Sequence, residues 1–446
     1  AEYRKYIESD PALERRFEMV IINEPSRNET IEIMKGICPK LEEHHHVHYS
    51  NQSLEAAVDL SIRFDPDHHL PDKAISLLDT AGARAQIPLL SMVPGNDQQR
   101  SQISVPYSDV NEQLVAHVLA DKTGISYEII SAQFGEVNQT RLLNLEAFLK
   151  RNIIGQDHAI ERVCRRLIMS QSGLGRKNRP LATFLFTGPS GVGKTEVAKN
   201  LAEFLFGDGS ALIRLDMSEF MEEHSISKLI GSPPGYIGYE EEGQLTSRLR
   251  SHPYSVVLMD ECDKAHRRVF DMFLQIFDDG RLTDSKGRTI DAHNVIFIMT
   301  ANILSNTKIS DEEDTSGHEA ATLNEITKYF RIELLNRIDE VIVFRHLDEQ
   351  NARTIIIKIL EDLAERIQTQ YKVKLIFSEE AVWHLVWAGY SIQLGARELR
   401  RTVEKLVQIP LSEMIIRGDF ATKPVWLIDL KNESLVFKSI ESFIEQ

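Results

Sequence analysis

The octapeptide Gly188-Pro189-Ser190-Gly191-Val192-Gly193-Lys194-Thr195 lies between the apolar run TFLFT at 183–187 and the amphipathic run TEVAKNLAEFL. No other feature constrains the chain as tightly. The flanking patterns ask for a buried strand, a tight loop and a helix in that order. Glycines let the loop curl until its N–H groups face one point, and the helix N-terminus adds a favourable field for an anion there. Lys194 is then placed to reach the β- and γ-phosphates of a nucleotide, and the Thr195 hydroxyl to ligate Mg²⁺. A glycine-rich turn alone can be structural; the complete match in its strand–loop–helix setting is what points to phosphate.

Apolar runs continue to alternate with helical segments: ALIRL at 211–215, VVLMD at 256–260, NVIFIM at 294–299 and VIVF at 341–344. The alternation predicts an α/β fold on a five-stranded parallel sheet with helices on both faces. Helix-spaced apolar residues at Ile31, Ile33, Met34 and Ile37, and again at Ala74, Ile75, Leu77 and Leu78, mark a small helical unit. The last hundred or so residues return to helices and close with VWLIDL and SLVFKS. The expected divisions are 1–20, the end of a preceding large domain; 21–92, a first small helical domain; 93–140, a linker; 141–345, the large α/β domain; and 346–446, a second small domain. ALERRF at 12–17 and LLNRID at 334–339 each precede a helical unit, so two copies of one module, the first beheaded, are expected. The chain starts at Ala1 rather than Met and reads as cut from something longer.

Composition narrows the function classes. With 446 residues, 42% hydrophobic and 26% charged, this is ordinary globular usage, and the formal net charge of −16 gives no general pull toward nucleic acid or anionic lipid. Cys38, Cys164 and Cys262 lack metal or disulfide spacing, which fits a reducing cytoplasm. Neither a membrane span nor a secretory signal is expected.

Five further residues extend the phosphate-loop reading. The run Val256–Met259 delivers Asp260 to a strand tip, where it can hold a metal's hydration shell, and Glu261 is placed to polarise an attacking water. Asn302, ending NVIFIMTAN, can position that water. Arg337 in LLNRID and Arg397 in GARELRR are guanidinium candidates for the transferring phosphoryl group; taken alone, arginines beside Asp339 and Glu398 read as structural pairs, and it is the order of motifs along the chain that favours the phosphoryl role.

In this order GPSGVGKT, VVLMDE, MTAN, LLNRID and GAR resemble the AAA+ ATPases, and the surrounding stretches LDMSEFMEEHSISKLIGSPPGYIGYEEEGQLT and GRLTDSKGRTIDAHN resemble the Clp family of ring-forming protein unfoldases. ALERRF and LPDKAISLLDTAGARA resemble the end of a first Clp module. The resemblance implies an ATP- and Mg²⁺-dependent ATPase working as a homo-hexamer on unfolded or tagged proteins, with adaptor proteins as further partners. It implies that Arg337 is an arginine finger for the neighbouring subunit, Arg397 a sensor on the small domain, Ile153 and Ile154 neighbours of adenine, and Arg15 and Arg16 fingers of the first module. It makes Tyr236, with Ile237, the paddle gripping polypeptide in an axial pore, since an aromatic between Gly235 and Gly238 combines a broad face with a mobile backbone.

Some features depart from the family. Residues 71–156 carry no sustained heptads of the kind inserted in ClpB-type disaggregases. The loop ILSNTKISDEEDTSGHEAATLNE lacks the aliphatic–glycine–apolar tripeptide of relatives that feed the ClpP protease, which argues against docking there. The rival readings are a nucleic-acid motor or loader and a non-catalytic ATP-binding scaffold. Tyr236, Ile237 and Tyr239, followed by three glutamates, oppose the first; an intact Glu261 and Arg337 oppose the second. His44, His45, His46 and His48 are expected to be solvated helix-end residues rather than metal ligands, and Cys262 a small buried residue.

Overall fold

The computed structural model describes residues 20, 22–65, 68–92, 108–123, 125, 127, 130, 137–172, 178–207, 211–232, 243–303, 324–391, 395–421 and 424–440. The chain forms two compact units, 1–131 and 132–446.

The first unit contains α1 (Arg27–His45), β1 (Val47–Tyr49), α2 (Asn51–Phe64), α3 (Asp72–Met92), β2 (Ser108–Val110) and α4 (Glu112–Thr123). Ser26 and Glu29 cap one another's backbone at the start of α1, and the Ser50 hydroxyl accepts from Ser53 N at 3.0 Å to open α2. β1 and β2 pair in parallel, and α4 packs on α2 and α3 with Val115, Ala116, Val118 and Leu119 buried. Within the stretch expected as a linker, the run VNEQLVAHVLADKTG, which reads as one short helix, forms α4, and together with β2 it belongs to this unit. His45 is not solvated: it is buried and pairs with Asp79 at 2.8 Å, because the chain turns back at His46 and carries the ring under α3. No metal-binding group of His, Cys, Asp or Glu occurs among the described residues.

In the second unit, α5 (Val137–Asn152) and α6 (Asp157–Gln171) precede β3 (Ala182–Thr187), which feeds α7 (Lys194–Phe206). Then come β4 (Leu212–Asp216), α8 (Ile226–Ile230), α9 (Gln244–Ser251), β5 (Val256–Asp260), α10 (Val269–Asp279), the short hairpin of β6 (Arg281–Thr283) and β7 (Thr289–Asp291), β8 (Ile296–Ala301), α11 (Ile332–Leu335) and β9 (Glu340–Val343). The five expected strands form one parallel sheet ordered β4-β5-β8-β3-β9. β3, β5 and β8 are buried at every position, as parallel strands covered on both faces must be. Leu185, Val257, Met259, Phe297 and Met299 share one core with Phe273 and Phe277 of α10. Their neighbours Phe184, Phe186, Ile296 and Ile298 alternate onto the opposite face and are equally buried. The strand order reverses at β3, which opens a crevice at the carboxyl end of that strand.

The chain continues as α12 (Glu349–Tyr371), β10 (Lys374–Phe377), α13 (Glu379–Gly389), α14 (Ala396–Val403), a π-helical turn at Glu404–Gln408, α15 (Ile409–Arg417) and strands β11 (Val425–Lys431) and β12 (Ser434–Ser439). The three strands form a separate sheet, β10-β11-β12, over a core that includes Leu360, Leu385, Leu399, Val403 and Ile428. Asp348 opens α12 by accepting from Asn351 N at 2.7 Å.

Candidate functional site

The phosphate loop leaves β3 at the crevice. Gly188 has φ 129°, and a β-carbon there would stand 2.5 Å from the Phe344 carbonyl oxygen, so only glycine lets the loop turn under the segment after β9. Gly193, at φ 107°, caps α7 without a side chain, leaving the first N–H groups of that helix facing the loop. Thr195 follows in the first turn.

Lys194 is buried, and its Nζ donates to the carbonyls of Gly188 (2.6 Å) and Pro189 (2.7 Å) and to Asn302 Oδ1 (3.0 Å). Burial pushes its ammonium down to about 8; Asp260 and Asp263 oppose the shift, and Arg397 adds to it. The lysine therefore already bridges the loop and the expected sensor asparagine.

The acidic pair sits at the tip of β5. Asp260 Oδ1 accepts from Thr300 Oγ1 at 2.6 Å and Oδ2 from Arg214 at 2.7 Å. Glu261 takes a left-handed backbone at φ 58°, unusual for a residue with a β-carbon, and its N–H donates to Thr300 Oγ1 at 3.1 Å. Its carboxylate pairs with Lys264. The Asn302 N–H donates to Asp263 Oδ1 at 3.0 Å, which sets the side chain that receives Lys194. Thr300, Asp263 and Arg214 join the site without having been singled out in the sequence. Each is one polar residue near a strand end: the register of β4, β5 and β8 brings Arg214 and Thr300 to Asp260, and Asp263, three residues after Asp260, reaches Asn302.

Gln156 fixes a third side. Its buried amide donates to Arg345 O (2.9 Å) and accepts from Arg345 N (3.1 Å), tying the Ile153–Ile154 segment to the chain beyond β9. Ile153 is buried, with Cγ2 3.6 Å from where a β-carbon on Gly193 would lie, and Ile154 is half-buried. The small domain closes the fourth side. Ala396 N donates to Gly191 O at 2.9 Å, so α14 starts on the phosphate loop itself with the exposed Arg397 in its first turn.

Arg337 does not join this cluster. Its carbonyl accepts from Thr183 Oγ1 at 3.2 Å, at the amino end of β3. Gly188 lies five residues further along that strand, roughly 16 Å at ~3.3 Å per residue. Its side chain is partly exposed and pairs with Asp278. Arg15, Arg16, Tyr236, Ile237 and the loop 304–323 lie outside the described residues. Cys262 is buried, donates to Met259 O at 3.2 Å and has its thiol pushed well up by burial, as expected of an inert residue.

A parallel sheet, a phosphate loop at its switch point, an acidic strand tip and a lid helix resting on the loop define a P-loop nucleoside-triphosphatase core. Comparison with known proteins agrees. Residues 179–341 match the AAA domain (Cdc48 subfamily), 26–113 an AAA lid domain, and 347–425 the C-terminal, D2-small domain of ClpB protein. The chaperone protein ClpB of Aquifex aeolicus is 37% identical over all of this chain and 54% of its own length. The chloroplastic chaperone protein ClpC1 of Arabidopsis thaliana is 40% identical over 98% of this chain and 53% of its own. The Hsp104–ADP complex of S. cerevisiae superposes with a TM-score of 0.79 at 34% identity, covering 98% of this chain and 73% of that one. The chain belongs to the Clp family of AAA+ ATPases. It spans about half the length of these curated relatives.

Proposed function

We propose that this chain is the motor of a protein unfoldase: assembled as a homo-hexamer, it hydrolyses ATP and draws unfolded or tagged polypeptide through an axial pore. The observation that carries the ATPase reading is the convergence of Lys194, Asp260, Glu261, Asn302 and the start of α14 on one phosphate loop.

In this reading the loop N–H groups and Lys194 bind the nucleotide phosphates, and Ile153 and Ile154 flank the base. Thr195 and Asp260 supply the hard oxygen donors that Mg²⁺ prefers, and the ion, when bound, neutralises phosphate charge. Glu261 accepts the proton of the attacking water, which Asn302 orients. Arg397 reports the state of the γ-phosphate to the small domain. Arg337 is too far from its own loop to act there, which supports its use on a neighbour's nucleotide. Tyr236 and Ile237 would grip the polypeptide. Arg15 and Arg16 would serve a first-module site in the same way, and 1–20, 21–92, 141–345 and 346–446 stand as the proposed divisions, with the strand and helix of 108–123 moved from the linker 93–140 to the first unit.

The proposed partners are protein substrates and adaptors, without nucleic acid or membrane. Among the described residues no helix is long and apolar enough to cross a membrane. The loop sequence after Asn302 argues against ClpP. Three buried, unpaired cysteines suit a reducing compartment, here proposed as the cytoplasm.

Glu261→Gln tests the central claim: nucleotide binding should persist while steady-state hydrolysis falls by about a hundredfold or more. A rate near the unsubstituted one removes Glu261 as the base.

A further inference from the structure

Asp278, in the last turn of α10, receives two arginines on its two oxygens. Arg179, from the segment before β3, donates to Oδ1 at 2.9 Å, and Arg337 Nε pairs with Oδ2. Arg337 Nη1 also donates to the Glu333 carbonyl at 2.8 Å. Two bonds from different nitrogens fix the plane of a guanidinium. Among the described residues the other three N–H bonds of Arg337 have no partner and remain for an incoming anion.

Charge matters as much as geometry. A carboxylate paired with one arginine cancels it, which would weaken that arginine's field at a phosphate. Here one carboxylate serves two guanidinium groups, so the cluster keeps a net positive charge while gaining a fixed orientation. The cluster is also partly open to solvent: the side chains of Arg337 and Asp278 are 30% and 34% exposed. An ion pair that wet adds little to folding stability. Its worth must therefore be sought in where it aims Arg337.

We infer that Asp278 is a positioning residue for the reaction: it holds Arg337 in the orientation that serves the neighbouring subunit's nucleotide, and Arg179 keeps the cluster cationic. This rests on the proposed reading of Arg337.

The test uses full-length rings of Asp278→Asn, Asp278→Glu, Arg337→Ala and the Asp278→Asn/Arg337→Ala double variant. Steady-state ATPase is measured above the rate of Lys194→Ala rings, and nucleotide affinity separately. Asp278→Asn is expected to lower kcat about tenfold with nucleotide affinity and melting temperature unchanged, and Asp278→Glu to restore most of that loss. The double variant should be no slower than Arg337→Ala alone, since Asp278 acts only through that arginine. Normal kcat in Asp278→Asn beside a crippled Arg337→Ala overturns the positioning role alone, as does an additive loss in the double variant. Normal kcat in Arg337→Ala removes the finger and the inference with it. A lowered melting temperature in Asp278→Asn that Asp278→Glu does not correct would mark the cluster as merely structural.

Discussion

Lys194 is a buried ammonium whose affinity for its proton is lowered to about 8 by burial. Nucleotide phosphates favour the charged form, so bound nucleotide raises that value. The sign follows: well below pH 8 the lysine is charged with or without nucleotide and binding moves no proton. Above pH 8 the free site is mostly neutral, and binding must take up a proton. Affinity for ATP is therefore expected to fall as pH rises beyond about 8, approaching tenfold per unit, with proton uptake measurable by titration calorimetry in buffers of different ionisation enthalpy. Lys194→Ala should abolish the uptake. Which residues could be seen in advance follows from how locally they are encoded. Lys194, Thr195 and Asp260 sit in a contiguous motif or at a strand tip, so spacing alone finds them. Thr300 and Arg214 reach Asp260 through strand register, which no short window of sequence contains, and Asp263, though only three residues after Asp260, finds its partner Asn302 at the end of another strand. His45 fails for the same reason, since its partner Asp79 comes from another helix.

At the scale of elements, the joint between the large and small domains rests on α14. Gly395 precedes it with φ 55°, and a β-carbon there would lie 2.8 Å from Gly191 O and 3.0 Å from Ser190 O. Gly395→Ala combines a strained backbone with a push against the phosphate loop, a cost of about 1–3 kcal/mol. Calorimetry should show a drop of several degrees in the melting of the carboxyl-terminal half, and ATP should bind more weakly. An unchanged melt and unchanged affinity would mean that the joint yields freely. The five parallel strands were legible because each is a short apolar run bounded by helical periodicity, and their ends shifted by no more than two residues. In the stretch 93–140 the run VNEQLVAHVLADKTG reads as one short helix and forms α4, but its membership of the first unit is not written in it. β2 has only three residues, and a helix as short as α4 is stabilised by its packing on α2 and α3, contacts that its own pattern does not reveal.

For the whole molecule, the separation between Arg337 and its own loop predicts complementation. Rings made only of Glu261→Gln chains, or only of Arg337→Ala chains, should be nearly inactive. When equal amounts are mixed and allowed to exchange, about a quarter of the junctions join an intact site to an intact arginine, so hydrolysis should reappear. Rings that demonstrably exchange subunits yet stay inactive would exclude donation across the boundary. Tyr236→Ala should behave differently: ATP turnover is kept, while unfolding of a tagged fluorescent protein stops, as followed by loss of its emission.

β3 carries the lysine clasp just past one end and the arginine near the other, and its buried backbone cannot shorten. With Arg337 used as proposed, a solitary chain is denied self-ignition by the length of a strand: dilution would act as a brake, and fuel would be spent only where copies have already met.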